Sequence, residues 1–270
     1  MNHKTVLLII ILFLSYKQIC AIDPIEAGAR SNATANANST QLDIFSLFNN
    51  QAASAFLHKK ELSIFSENKY ISKELNTIGL AVVLPSAKGT LGITLSRFGF
   101  SNFNQTQLGA VIAKKLSHNL SLGIRINYLN TFIKHYSSRG IVFGELGIYT
   151  KLTDKISLGA HIHNPTRPKL REGENQQTAS IFKVGFSYTE QKLYSLYFDL
   201  NKNSEEDFNA KVGLEYFLLQ IVTLRAGVNT APSQFFGGIG ILAKQIAIDF
   251  STSYLNNLGF SPSLSLTYAL

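Results

Sequence analysis

From Leu62 to Leu270 the chain alternates apolar and polar residues with a period of two, over segments of about ten residues divided by turn residues. Leu120, Leu122, Ile124, Ile126 and Tyr128 interleave with Ser121, Gly123, Arg125 and Asn127. Phe182, Val184, Phe186 and Tyr188 interleave with Lys183, Gly185 and Ser187, and Ile246, Ile248 and Phe250 with Ala247, Asp249 and Ser251. A period of two puts one residue set on each face of a strand. About fourteen such segments follow one another, from 62–70, 76–85 and 89–100 through to 245–254 and 261–270. Each is close to the length at which a tilted strand crosses a bilayer. The connections SAKG, LSHN, LTDK, EQK and KQ are short. They alternate with the longer stretches Ile133–Gly140, Asn164–Gln177, Asn201–Asp207 and Leu255–Ser261. Short turns on one side and longer loops on the other are the asymmetry of outer-membrane barrels. A secreted sandwich or a lipocalin-like barrel would also alternate. Fourteen unbroken hairpin strands exceed an ordinary sandwich, however, and aromatic residues gather near strand ends as interfacial girdles do. The pattern therefore predicts an all-β fold, a 14-stranded antiparallel transmembrane β-barrel over residues 61–270, with its apolar set facing outer-membrane lipid.

The polar set then lines the interior. It includes Arg125, Glu145, His161, His163, Lys183, Asp199, Lys211, Glu215, Arg225 and Asp249. Hairpin register follows from symmetry about each turn. Arg125 and Glu145 are symmetric about residue 135, and Lys183 and Asp199 about the Glu190–Lys192 turn. Asp199 with Lys211, and Glu215 with Arg225, are placed in the same way. Opposite charges are thus predicted to face each other four times. A lipid-facing Arg or Lys at mid-depth costs about 2–4 kcal/mol, whereas a paired charge in a polar lumen avoids that penalty. His161 and His163 share a strand face, but no further ligand lies at metal-site spacing, so they read as lumen histidines.

Composition sharpens this picture. The 270 residues are 45% hydrophobic but only 16% charged, against about 25% in soluble domains. A wall that meets lipid on one face and a lumen on the other needs few charges. The single cysteine, Cys20, excludes a disulfide scaffold and a cysteine-based zinc site. Met1–Ala21 carries Lys4 ahead of the apolar run Val6–Leu14, the form of a cleaved export signal. The net charge of +8 includes Lys4 and Lys17, so removal of the signal leaves about +6. No Lys/Arg cluster concentrates that charge, and nucleic acid is not an expected partner. No nucleophile elbow, HExxH, P-loop or dinucleotide fingerprint is present, so no catalytic role, metal or cofactor is expected. Residues 22–60 are small and polar, then apolar from Ile44 to Leu57. Fourteen strands enclose more space than wall side chains fill. The segment has the size of a plug, with Ile44–Leu57 as a short helix presenting Leu47, Phe48 and Phe56.

The stretch from Gly28 to Leu57, GARSNATANANSTQLDIFSLFNNQAASAFL, resembles the N-terminal region of the PorV/PorQ-like outer-membrane proteins, small relatives of FadL-type transporters. Gly28, Ala29 and Arg30 match the opening of the family pattern, and Asn50 and Ala52 match its N-x-A element. Ala33 and Asn36 stand where the family carries an inner glycine. Asn164–Leu170 and Leu258–Tyr268 also resemble this group. The resemblance implies an outer-membrane barrel with an N-terminal hatch inside it, marked by Gly28, Arg30, Phe48, Asn50 and Ala52. It further implies a part in type IX secretion, with secretion components or exported cargo as partners. The alternative it implies is a FadL-like channel for hydrophobic or small solutes.

Overall fold

The computed structural model describes residues 25–168, 178–190, 193–204 and 207–270. The export signal read in Met1–Ala21 lies outside them.

Fourteen strands form one closed antiparallel barrel. They are β1 (Glu61–Asn68), β2 (Asn76–Ser86), β3 (Gly89–Gly99), β4 (Phe103–Lys115), β5 (Leu120–Ile133), β6 (Ser137–Lys151) and β7 (Ile156–His163). There follow β8 (Ile181–Glu190), β9 (Tyr194–Asn203), β10 (Phe208–Phe217), β11 (Val222–Thr230), β12 (Ser233–Ala243), β13 (Ile246–Leu255) and β14 (Gly259–Ala269). Each strand pairs with its sequence neighbours. β1 closes the ring on β14, with Glu61 opposite Ala269 and Glu67 opposite Ser263. Closure leaves no unpaired sheet edge, the condition for a sheet to cross hydrocarbon.

Burial alternates along the strands as the sequence does. In β5 Ile124 is 45% exposed and Arg125 2%. Ile93, Leu108, Ile148, Val212 and Leu264 stand on the outer surface, while Ser63, Thr94, Asn127, Ser251 and Ser265 are buried inside. Exposing such rows of Leu, Ile and Val to water would cost about 25 cal/mol per Å². A lipid annulus removes that cost, and the barrel reads as membrane-spanning.

The loop asymmetry is weaker than the sequence implies. Ser137–Gly140 belong to β6, Asn201–Asn203 to β9 and Gly259–Ser261 to β14, so three expected long loops shrink to turns such as 134–136 and 256–258. Their polar residues still satisfy the ladder, which runs to Ile133↔Ser137 and Leu255↔Gly259. On that side residues 69–75 form a longer connection, and most of the loop expected over Asn164–Gln177 lies outside the described residues.

The N-terminal residues 25–57 lie inside the ring. A helical turn α1 (Ala29–Ala33) packs on β11–β14 and β1. A second, α2 (Ser46–Asn49), precedes a 3₁₀ turn at Gln51–Phe56 that packs on β3–β6. The single helix expected over Ile44–Leu57 is therefore broken. The break falls at Asn50, which is extended (φ −155°, ψ 100°) and whose side chain accepts from the Ala52 N–H to cap the 3₁₀ turn.

Candidate functional site

The lumen and the segment within it form one polar-and-apolar interlock. Gly28 begins it. Its φ of +94° favours glycine, and a Cβ there would lie 2.4 Å from the Phe45 ring. With no side chain in the way, Phe45 closes over the chain. Asn49 then ties the two halves of the segment together, accepting from the Ala27 N–H at 3.2 Å and donating to its carbonyl at 3.1 Å.

The half nearer the N-terminus is held by charge. Arg30 donates from Nε and Nη2 to the two oxygens of Glu215 at 2.8 and 2.7 Å, a bidentate pair. Tyr197 donates its hydroxyl to Glu215 at 2.7 Å, and Arg225 donates its Nε at 2.6 Å. Arg225 continues to Asp249 at 2.7 Å, and Arg30 reaches Asp43 at 3.3 Å. Glu26 receives Lys183 at 2.6 Å and Lys211 at 3.4 Å. Asp199 accepts from the backbone N–H groups of Asn38 and Ser39 and from the Ser39 hydroxyl, at 3.0, 2.9 and 2.6 Å. Wall and segment press backbone to backbone here. A Cβ on Gly159 of β7 would overlap the Ser39 carbonyl.

Burial shifts the segment's own titrating groups, and their partners decide the outcome. Burial alone would push the Glu26 carboxyl up. Lys183 and Lys211 outweigh it and hold Glu26 far below the usual carboxylate range. Burial would lower Arg30, but Glu215 prevails and keeps it charged. At Asp43 burial wins over Arg30, and the carboxyl lies above its ordinary value.

The half nearer the barrel wall's start is held by apolar packing. Phe45, Leu47 and Phe48 bury against Phe65, Ala81, Val83 and Val111 of β1, β2 and β4. Phe45 and Phe48 meet the Phe65 ring edge-on, with centroids 5.6 and 5.5 Å apart. Such pairs add about 0.5–1.5 kcal/mol beyond burial. Phe48 also lies under the Arg125 guanidinium at 4.7 Å. Asn50 donates to the carbonyls of Ser39 and Ile148 at 2.7 and 3.1 Å. The Ala52 carbonyl accepts from Ser121 at 2.7 Å. Phe56 stacks edge-on with Tyr149 at 5.2 Å.

Of the lumen residues named from sequence, all but Arg225 are buried inside the ring, and Arg225 is half-buried. Three of the four predicted oppositions are ladder partners: Arg125↔Glu145, Lys211↔Asp199 and Glu215↔Arg225. The fourth is not. Lys183 faces Asn201, and Asp199 faces Gly185. Glu190 pairs with Tyr194, so that ladder is centred one residue later than assumed. Lys183 takes its acid from Glu26 instead. Glu145 gathers His161 and His163 at 3.1 Å each, with Arg125 at 3.3 Å, Asn127 at 2.8 Å and Gln51 at 2.6 Å. These are hydrogen-bond distances around one carboxylate. Among the described residues no group of three or more His, Cys, Asp or Glu is placed to hold a metal ion. Glu26, Asp43, Tyr197, Ser39 and Gln51 complete these networks and were not among the predicted residues. A signal for the first two existed: Asp23, Glu26, Arg30 and Asp43 are the charges of an otherwise neutral stretch from Ile22 to Leu57.

The segment divides the lumen. Toward the loop side lies a cup of about 290 Å³, bounded by Ile25, Glu26, Asn32 and Asn36 below. Toward the turn side lies a cavity of about 280 Å³ against Arg30, Asp43 and Leu57.

The sequence matches no family model and no curated protein. Solved structures do match. The monoaromatic hydrocarbon channel CymD superposes with a TM-score of 0.74 at 13% identity, over 93% of this chain and 99% of that one. The toluene transporter TbuX of Ralstonia pickettii gives 0.66 at 12% identity, over 90% and 97%. A FadL homologue of Pseudomonas aeruginosa gives 0.63 at 15% identity, over 90% and 98%. At these identities the similarity establishes the fold, that of FadL-type outer-membrane barrels.

Proposed function

We propose that this chain is a non-enzymatic channel of the bacterial outer membrane that admits small solutes, with residues 25–57 as its hatch. The observation that carries this reading is the segment standing between two lumen cavities. It is anchored on both walls, by ion pairs to β8 and β10 and by apolar packing on β1, β2 and β4. A mainly structural barrel would not need a separable segment with its own ion pairs. The fold neighbours support the reading, since they are described as hydrocarbon channels and toluene transporters. Outer-membrane lipid is then the partner of the apolar face.

The secretion role implied by the PorV/PorQ resemblance has no comparable support. The neighbours are described as channels and transporters. The test is permeability. The purified full chain in phosphatidylcholine vesicles should pass a small neutral solute slowly, and a variant lacking Ala29–Phe56 should pass it much faster. Equal permeability, with both proteins showing the heat-dependent gel shift of a folded barrel, would remove the hatch. Normal cargo export from a deletion strain would argue against secretion.

A further inference from the structure

The cup on the loop side has a chemistry that the channel reading leaves open. Five carboxamides line it: Asn32, Asn36, Gln105, Asn229 and Gln234. Each can both donate and accept hydrogen bonds. Several are fixed by neighbours. Asn32 donates to Glu67 at 3.1 Å and accepts from Ser251 at 3.1 Å, and Gln234 donates to Ser253 at 2.8 Å. Asn229 is only 7% exposed, and its Oδ1 has no hydrogen-bond partner. Among the amides stand the rings of Tyr70, Phe98 and Phe236.

This lining is wrong for a bare hydrocarbon, which would strip water from the amides and return no hydrogen bond. Charge selects against ions. Glu26 and Glu67 line the cup, but Glu26 is neutralised by Lys183 and Lys211 and Lys69 stands by Glu67, so neither an anion nor a cation gains much. The volume of about 290 Å³ is just below the range of about 300–1,000 Å³ for drug-sized sites, so the cup itself holds only a small solute.

We propose that the cup binds a neutral, polyhydroxylated solute of monosaccharide size. Gln105, Asn229 and Gln234 meet its hydroxyls, and Phe98 and Phe236 meet its ring face. The inference deepens the channel reading and rests on it for where the solute goes next, but the binding itself stands apart from transport.

The test uses the full chain in lauryldimethylamine oxide micelles, with glucose as the probe and saturation transfer from protein to ligand protons as the readout. Glucose should receive saturation. Asn229→Leu and, separately, the more exposed Gln105→Leu should each weaken its binding about fivefold or more. Both variants should keep the gel shift of a folded barrel. No transfer to glucose from the folded chain overturns the proposal, as does transfer that both substitutions leave unchanged. Swelling of phosphatidylcholine vesicles in glucose separates the two readings. Binding without passage removes the channel and leaves the cup; passage without binding removes the cup and leaves the channel.

Discussion

The two halves of the internal segment are held by different physics. Residues 25–43 are tied to β8–β13 by ion pairs and directed hydrogen bonds, Arg30 to Glu215 and Glu26 to Lys183 foremost. Residues 44–57 sit on β1–β6 largely through Phe45, Leu47, Phe48 and Phe56. Apolar packing is non-directional and indifferent to pH. Buried ion pairs are directional, and losing one partner leaves the other stranded. The charged half is therefore the releasable one, and the apolar half the hinge.

The largest effect should come from Glu215→Ala. Glu215 is fully buried and accepts from Arg30, Arg225 and Tyr197. Its removal takes one of two acids from each of the half-buried Arg30 and Arg225 guanidiniums, a change that costs about 3 kcal/mol. A spin label on a cysteine at Asn36 should become mobile, while a label at Ala55 stays ordered. Equal loosening at both sites would mean that the halves are not separate. Leu47→Ala should come next, at about 2–5 kcal/mol, because Leu47 is fully buried against the wall. It should loosen Ala55 more than Asn36. The reverse order of mobility would break the assignment of the hinge.

Much of this was legible in sequence, for a reason that also explains what was not. A strand in lipid must keep its apolar set outward, so period-two alternation fixes strand number, facing and most registers. That is why Arg125↔Glu145 and Glu215↔Arg225 follow from symmetry about a turn. A one-residue difference in the β8–β9 turn was enough to misplace Lys183, because turn length carries no hydrophobic signal. The segment was harder. Its contacts join residues far apart in sequence, such as Arg30 with Glu215, and nothing periodic marks them. Its helix is cut at Asn50 because the Asn50 amide serves the Ser39 and Ile148 carbonyls. No local propensity announces that demand.

A smaller effect tests the backbone contact alone. Gly159→Ala adds one methyl group where the Ser39 carbonyl lies. Overpacking of this kind costs about 1–3 kcal/mol. The label at Asn36 should gain mobility, less than with Glu215→Ala, and the barrel should keep its gel shift. If the label stays as ordered as in the parent chain, the wall yields there and the close approach is not part of the seat.

The smallest effect is that of pH, which acts on the charged half. Glu26 has its folded pKa depressed by Lys183 and Lys211. Its contribution is fully present above the unfolded carboxylate range and declines as pH falls from there toward the depressed folded value. Asp43 works the other way. Its raised pKa favours the protonated form, so its contribution is present in acid and lost as pH rises through the raised value. From neutrality down to about pH 4.5 the Glu26 loss stays well under ~1 kcal/mol, and below that it approaches ~1.4 kcal/mol per unit. Below about pH 4.5, where the Glu26 loss grows, mobility at Asn36 should therefore rise while that at Ala55 does not, and Glu26→Gln should flatten the Asn36 response. A pH response at Ala55 equal to that at Asn36 would show that charge holds both halves, and the hinge would have to be sought elsewhere.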